Sequence, residues 1–212
     1  MKKAKILLIS PNIKGMDDGV NRIMPSLGLM LIAQMLLNYG HTVKIHDTAL
    51  EGWNNRILID PKKQKLLIGQ SDEEILKVIS DFSPDIVAIS VLFSNFLDAA
   101  HNVARLVKKV NKTIKVILGG NHITNAVLDY KFSLIDKNSN LPDVIEDLDD
   151  ENFDFALVGE GEIPMVKLVD AIMNGDDYKK IPGLIKKIGH KKYFVNPKSE
   201  RHDMNLLPRP AR

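Results

Sequence analysis

A continuous apolar run that ends in two glycines, Lys115-Val116-Ile117-Leu118-Gly119-Gly120, constrains this chain more than any other stretch. No polar residue alternates with Val116, Ile117 and Leu118, the pattern of a strand buried on both faces of a parallel sheet. The glycines admit positive φ and carry no Cβ to hold a ligand away. Ligands of open α/β sheets lie just outside the carboxyl ends of the strands. Gly119, Gly120, Asn121 and His122 therefore stand where a ligand is expected, and Leu157-Val158-Gly159-Glu160-Gly161-Glu162 repeats the pattern. A tight strand-to-loop turn explains the same glycines without any ligand. On these two stretches both readings stay open.

Four more stretches read as strands: Ala4–Ile9 and Asp85–Ser90, both buried runs, and Thr42–His46 and Phe153–Val158. Helical segments separate them. The first, about Ser26 to Tyr39, has Ser26 at its N-cap, Gly40 beyond its end and apolar residues almost all round, which predicts a mostly buried helix. Ser71-Asp72-Glu73-Glu74 is a capping box opening a second helix, which Ser83-Pro84 ends. A third runs from about Phe96 to Val110 with Ser94 or Asn95 as cap, a further segment reaches about Phe132, and the last spans about Pro164 to Met173. Strands alternating with helices predict an α/β fold, a Rossmann-like or flavodoxin-like doubly wound sheet. Five parallel strands are expected in the order 2-1-3-4-5, with the switch point between the loops after strands one and three.

The first of those loops, Ser10 to Pro25, is about fifteen residues long where two to six is usual, so it reads as a functional or mobile loop. A hairpin is inserted at about 54–70, an acidic surface loop at about 136–152, and a small C-terminal hairpin spans 184–195. Domain one is expected to cover 1–180, and 181–212 to be hairpin and linker.

Several chemistries are excluded. There is no cysteine, which removes disulfides, thiolate metal sites, iron–sulfur ligation and cysteine nucleophiles from this chain. A formal net charge of +2 with dispersed lysines gives no basis for nucleic-acid binding. Ile6–Ile9 is too short for a signal h-region or a membrane span, so a cytoplasmic protein is expected. Neither G-x-G-x-x-G nor a P-loop follows the first strand. Asp47 stands alone and reads as a polar strand end, not as part of an acidic receiver cluster. His46 and His122 lack partners at repeating ligand spacing. Glu162 suits a helix N-terminus, where a carboxylate meets the helix dipole. No residue is assigned a catalytic or metal-ligating role.

An ordered set of short motifs carries a family resemblance: Pro25-Ser26-Leu27-Gly28, Asn38-Tyr39-Gly40-His41-Thr42-Val43, Ser83-Pro84-Asp85-Ile86-Val87-Ala88-Ile89-Ser90, Leu118-Gly119-Gly120-Asn121-His122 and Val158-Gly159-Glu160-Gly161-Glu162. Together they resemble the N-terminal cobalamin-binding domain of the cobalamin-dependent radical S-adenosylmethionine enzymes. The tail from Asp203 to Ala211 is similar to the connector leading into that family's catalytic barrel. The resemblance implies a cofactor domain, cut from or lacking the barrel that would bring the CxxxCxxC motif, the iron–sulfur cluster and S-adenosylmethionine. Methyl transfer is the commonest outcome in the family, alongside oxidoreductase-type members. By the same resemblance Ser90, Val91 and Leu92 contact the nucleotide tail of cobalamin. Gly119 and Gly120 let that tail pass, and Gly159, Glu160 and Gly161 lie on its other side. Asn121 and His122 shape the loop or touch the cofactor, and backbone N–H groups are available to its amides and phosphate. The D-x-H-x-x-G pattern that ligates cobalt in other cobalamin domains is absent, so no histidine of this chain is expected below the metal. The alternatives are a flavodoxin-like binding or sensor module without catalysis, or the N-terminal half of a glycosyltransferase.

Overall fold

The computed structural model describes residues 2–17, 19–125, 148, 150–189, 192–196 and 207–211. The expected helical segment beyond 125, most of the acidic tract at 136–152 and most of the tail after 196 lie outside them.

In chain order, β1 is Lys5–Ser10, β2 Ile13–Met16, α1 Leu27–Asn38, β3 Thr42–Asp47, α2 Thr48–Glu51, β4 Arg56–Asp60 and β5 Lys65–Ile68. There follow α3 Asp72–Phe82, β6 Ile86–Ser90, a 3₁₀ turn Ser94–Phe96, α4 Leu97–Val110, β7 Lys115–Gly119 and β8 Phe155–Leu157. The helix Glu162–Asn174, here α5, and the strands β9 Leu184–Gly189 and β10 Lys192–Val195 complete the described elements.

The main sheet has the order β10-β9-β8-β7-β6-β1-β3. Strands β3, β1, β6, β7 and β8 are mutually parallel, and β9 and β10 are antiparallel to them. The five parallel strands stand in the expected order 2-1-3-4-5, and the C-terminal hairpin adds two antiparallel strands to the same sheet. The C-terminal hairpin extends it through β8, with Ala156 opposite Ile185 and Leu157 opposite Leu184. A boundary at residue 180 would therefore cut through one continuous sheet.

Alternation along the strands divides the core into two layers. Leu7, Ile9, Val87, Ile89, Val116 and Leu118 face α3 and α4, where Ile75, Ile79, Val103 and Val107 meet them. Ile6, Leu8, Ile86, Ala88, Ile117 and Leu157 face α1 and α5, against Leu29, Ala33, Leu36, Met165, Leu168 and Val169. Ala211 is buried in this second layer, and its N–H donates to the Met30 carbonyl at 3.0 Å.

Helix α1 is less buried than its composition predicts. Leu29, Ala33 and Leu36 are its buried residues, while Leu27 is 58% exposed. A single strip is fully buried against the sheet, Ile32 and Met35 pack at its margin, and Leu27 and Leu37 are exposed.

The loop after β1 is partly a strand. Ile13–Met16 pairs antiparallel with β5, and β5 pairs with β4, giving a second sheet in the order β2-β5-β4. The inserted hairpin is therefore anchored on this loop. The capping box forms as expected: Ser71 Oγ accepts from Glu74 N–H at 3.3 Å, and Glu74 Oε2 accepts from Ser71 N–H at 2.7 Å. The same carboxylate accepts from Asn55 Nδ2 at 3.2 Å, tying α3 to the hairpin. Ser71→Ala is expected to lower unfolding free energy by about 1 kcal/mol, read as a shifted urea midpoint at unchanged slope. Helix α4, in contrast, has neither Ser94 nor Asn95 as a cap; Phe96 holds that position without a side-chain hydrogen bond.

Candidate functional site

A cleft of about 270 Å³ opens at the carboxyl ends of β6, β7 and β8, between the sheet and the α1/α5 layer. Its position follows from the strand ends. Ser90 and Gly119 are register partners at the last position of β6 and β7, and Gly159 to Gly161 carry the chain from β8 into α5. Ala88 and Leu157 form an apolar floor, with Leu29 and Ile32 of α1 on one wall and Met165 of α5 on the other.

The cleft is open because side chains are missing from it. A Cβ on Gly119 would meet nothing nearer than the Leu157 carbonyl oxygen at 3.9 Å, and one on Gly28 would meet nothing within 4 Å. Gly28 lies in the first turn of α1, where glycine is a poorer helix former than alanine. Nothing in the protein's own packing requires it there. Gly120 has a different origin: its φ is +106°, and a Cβ there would lie 2.5 Å from the Val91 carbonyl oxygen. That glycine serves the chain itself.

Of the sequence-predicted residues, Ser90, Gly119, Gly120, Gly159, Glu160 and Gly161 line this cleft. Four do not. Val91 is buried in the layer facing α3 and α4, on the far side of the sheet. Leu92 and Asn121 are exposed, and His122 is half-buried outside the lining. Backbone N–H groups in the turns are also largely engaged. Val91 donates to Gly119 O at 2.7 Å, His122 to Val91 O at 3.1 Å, and Gly159 to Thr124 Oγ1 at 3.0 Å. These amides hold the two loops together and are not free for a ligand.

Sequence reasoning missed the contributions of α1 and α5. Gly28 carried a signal, as a glycine inside a helical pattern with no turn to justify it. Glu162 was read only as a partner of the helix dipole. It is 8% exposed, lines the cleft at the first turn of α5, and its Oε2 is buried without a hydrogen-bond partner. Glu160 and Glu162 are the charged residues among the described residues of the lining.

The cleft begins at β6, the direct neighbour of β1, and extends away from β1 to β8, so it lies to one side of the expected switch point between the two. The exit of β1 is filled by polar side chains. Thr48 Oγ1 donates to Ser10 O at 3.2 Å, Asn12 Nδ2 donates to Gln70 O at 2.8 Å, and His46 Nε2 meets Gln70 Oε1 at 2.7 Å. Asp47 is also more than a strand end: its Oδ1 accepts from Ala49 and Leu50 N–H and caps α2. Among the described residues no group of three or more His, Asp or Glu could hold a metal ion, and no helix is long and apolar enough to cross a membrane.

Three comparisons bear on this geometry. The profile of the B12 binding domain family matches residues 14–136, more than half of the 212-residue chain. The cytidylyl-2-hydroxyethylphosphonate methyltransferase of Streptomyces wedmorensis is 35% identical over 159 residues, which cover 75% of this chain and 27% of that protein. Among solved structures, the cobalamin-dependent S-adenosylmethionine radical enzyme OxsB with aqua-cobalamin bound superposes with a TM-score of 0.66 at 13% identity. That match covers 99% of this chain and 24% of OxsB. The radical S-adenosylmethionine methyltransferase TsrM of Kitasatospora setae, with cobalamin and a [4Fe-4S] cluster bound, gives 0.61 at 17% identity, over 100% of this chain and 32% of its own. The two superpositions establish the shared fold. The chain spans about a quarter to a third of the length of these three proteins.

Proposed function

We propose, from the premise that this chain belongs to the B12 binding domain family, that it is the cofactor-holding domain of a longer radical S-adenosylmethionine enzyme of methyltransferase type. Cobalamin is its cofactor. The observation that carries the reading is the cleft at the ends of β6, β7 and β8, kept open by glycines at positions 28 and 119 that the fold itself does not need.

The residues present fit cobalamin. An apolar floor of Ala88, Leu157 and Met165 suits a flat aromatic base, and the open side of the cleft leaves the corrin outside, over the strand ends. Ser90 at the rim supplies a hydroxyl that can donate to or accept from the cofactor. When bound, cobalamin supplies a cobalt centre that accepts and hands on a methyl group. This chain's residues position the cofactor and exclude water from its buried part. S-adenosylmethionine and the iron–sulfur cluster then belong to a barrel with its own cysteines, since this chain has none. Such a barrel, following residue 212 in the parent protein, is the partner this reading assigns.

An absorbance titration of the chain with hydroxocobalamin and methylcobalamin tests the reading. Saturable spectral changes with both are expected. A folded chain that leaves both spectra unchanged overturns it. The same spectra report the axial ligands. The segment after β1, Ser10-Pro11-Asn12, holds no histidine, and His46 is engaged with Gln70. A histidine-ligated spectrum would therefore contradict the assignment of these strand ends.

A further inference from the structure

We infer that His41 is a neutral, acid-sensitive clasp between α1 and α5, the two helices that wall the cleft. The inference is independent of what the cleft binds.

His41 stands just past the end of α1, and its side chain has no exposed surface. The chain turns there through Gly40 at φ +80°, and the His41 N–H donates to Leu36 O at 3.1 Å. The ring then joins the sheet. Its Nδ1 accepts from the Ala4 N–H at 3.2 Å, beside the 2.9 Å bond from Thr42 N–H to Ala4 O where β3 meets β1. A nitrogen that accepts carries no proton, so the neutral ring holds its proton on Nε2. Across from Nε2, on α5, Asp170 Oδ1 lies 4.0 Å away. Both atoms are buried, and neither has a hydrogen-bond partner.

A buried donor and a buried acceptor left unpaired are each unfavourable. Here the two are complementary neighbours. A shift of the Asp170 carboxylate by about 1 Å joins them directly, and one water joins them without it. Either way a single imidazole ties α1 and the start of β1 to α5. Leu29 and Ile32 of α1 and Met165 of α5 line the cleft, so the clasp joins its walls behind the opening.

The clasp needs the neutral ring. A second proton would go to Nδ1, where it would meet the Ala4 N–H and remove that bond. Burial, the largest influence, lowers the His41 pKa below the ordinary imidazole value; the Asp170 carboxylate on α5 opposes the shift, and Lys3 before β1 adds to it. From the other elements around it, backbone groups of Leu36 and Ala4 meet the residue. The unfolded chain therefore takes up the proton first. The stability that His41 contributes is full above about pH 6.5 and is lost as pH falls through the lower value of the folded chain.

The test is nitrogen-15 NMR of the histidine rings in the wild-type chain, with urea unfolding of wild type, His41→Gln and Asp170→Asn at about pH 7.5 and about pH 5.5. The His41 signal, identified by its absence in His41→Gln or its displacement in Asp170→Asn, should show Nε2–H with Nδ1 bare and titrate below the ordinary value. The gap in urea midpoint between wild type and His41→Gln should shrink on acidification. Asp170→Asn keeps an oxygen for Nε2–H but removes the charge that favours the imidazolium, so it should lose more than wild type in acid. A proton on Nδ1 at neutral pH, or a titration at or above the ordinary value, would overturn the inference in the wild-type chain alone. A gap that widens in acid would make His41 and Asp170 an ion pair, and would overturn it as well. These readouts need no cofactor, so failure of the cobalamin titration leaves them intact.

Discussion

Gly119→Val weakens cobalamin binding at least ten- to hundredfold while the domain stays folded. Gly119 ends β7 beside Ser90, and its missing side chain faces the cleft with 3.9 Å to the nearest atom of the rest of the chain. Valine suits a strand position, so the fold gains a residue of good β propensity and loses no hydrogen bond. Its two methyl groups occupy the volume that the reading gives to the ligand. Forcing atoms into a filled site costs about 1–3 kcal/mol or more, which is roughly a ten- to hundredfold loss or greater. Titration with hydroxocobalamin reads the loss, and thermal unfolding should move by no more than a few degrees. A Gly119→Val chain that binds as tightly as wild type would place the cofactor elsewhere on the sheet.

Gly120→Ala, one residue later, is expected to do the reverse and strike at stability. At φ +106° a Cβ is strained before any contact is considered, and here it would also sit 2.5 Å from the Val91 carbonyl oxygen. That oxygen cannot move aside freely, because it accepts from His122 N–H, and the Val91 amide in turn donates to Gly119 O. Strain of this kind costs roughly 1–3 kcal/mol on its own, and breaking the linked turns raises the total to about 3–5 kcal/mol. Against a typical stability of about 5–15 kcal/mol this is a large fraction. Urea unfolding measures it. A variant within 1 kcal/mol of wild type would show that the turn relaxes around the new side chain. Neighbouring glycines thus separate two roles: one leaves space for a ligand, the other lets the backbone turn.

Strands β1, β6, β7 and β8 were legible in the sequence because each holds a short apolar run that the sheet buries, whereas the edge strand β3, Thr42–Asp47, is mixed and mostly exposed. Ile6–Ile9 and Ile86–Ile89 admit no other reading at that length. Strand β2 was not legible. Ile13-Lys14-Gly15-Met16 has no alternation and contains a glycine, and it becomes a strand only because β5, about fifty residues away, pairs with it. The hairpin's membership of the main sheet was hidden for the same reason, since Ala156 opposite Ile185 is a tertiary fact. At the site, glycines following strands were a readable signal and gave five lining residues, Gly119, Gly120, Gly159, Glu160 and Gly161, while Ser90 came with the family resemblance. The walls were not readable, because Leu29, Ile32 and Met165 look like any core residues of an amphipathic helix. The apolar circumference of α1 misled for a related reason: apolar composition reports what can be buried, not how much of a helix the sheet can cover. The polar plug of Asn12, Thr48, His46 and Gln70 drew on residues scattered over about sixty positions.

A cleft defined by what Gly28 and Gly119 leave out has a one-sided mutational landscape. At a position occupied by a large side chain, substitutions can enlarge or shrink the site, and partial losses can be repaired by a neighbour. At glycine every substitution adds atoms, and every missense change of a glycine codon moves in the same direction. Drift at these two positions can only narrow the opening. The walls behave otherwise, since Leu29, Ile32 and Met165 can exchange among aliphatic residues of similar volume. In a set of natural variants of this domain, the glycines would therefore stay fixed while the walls around them change.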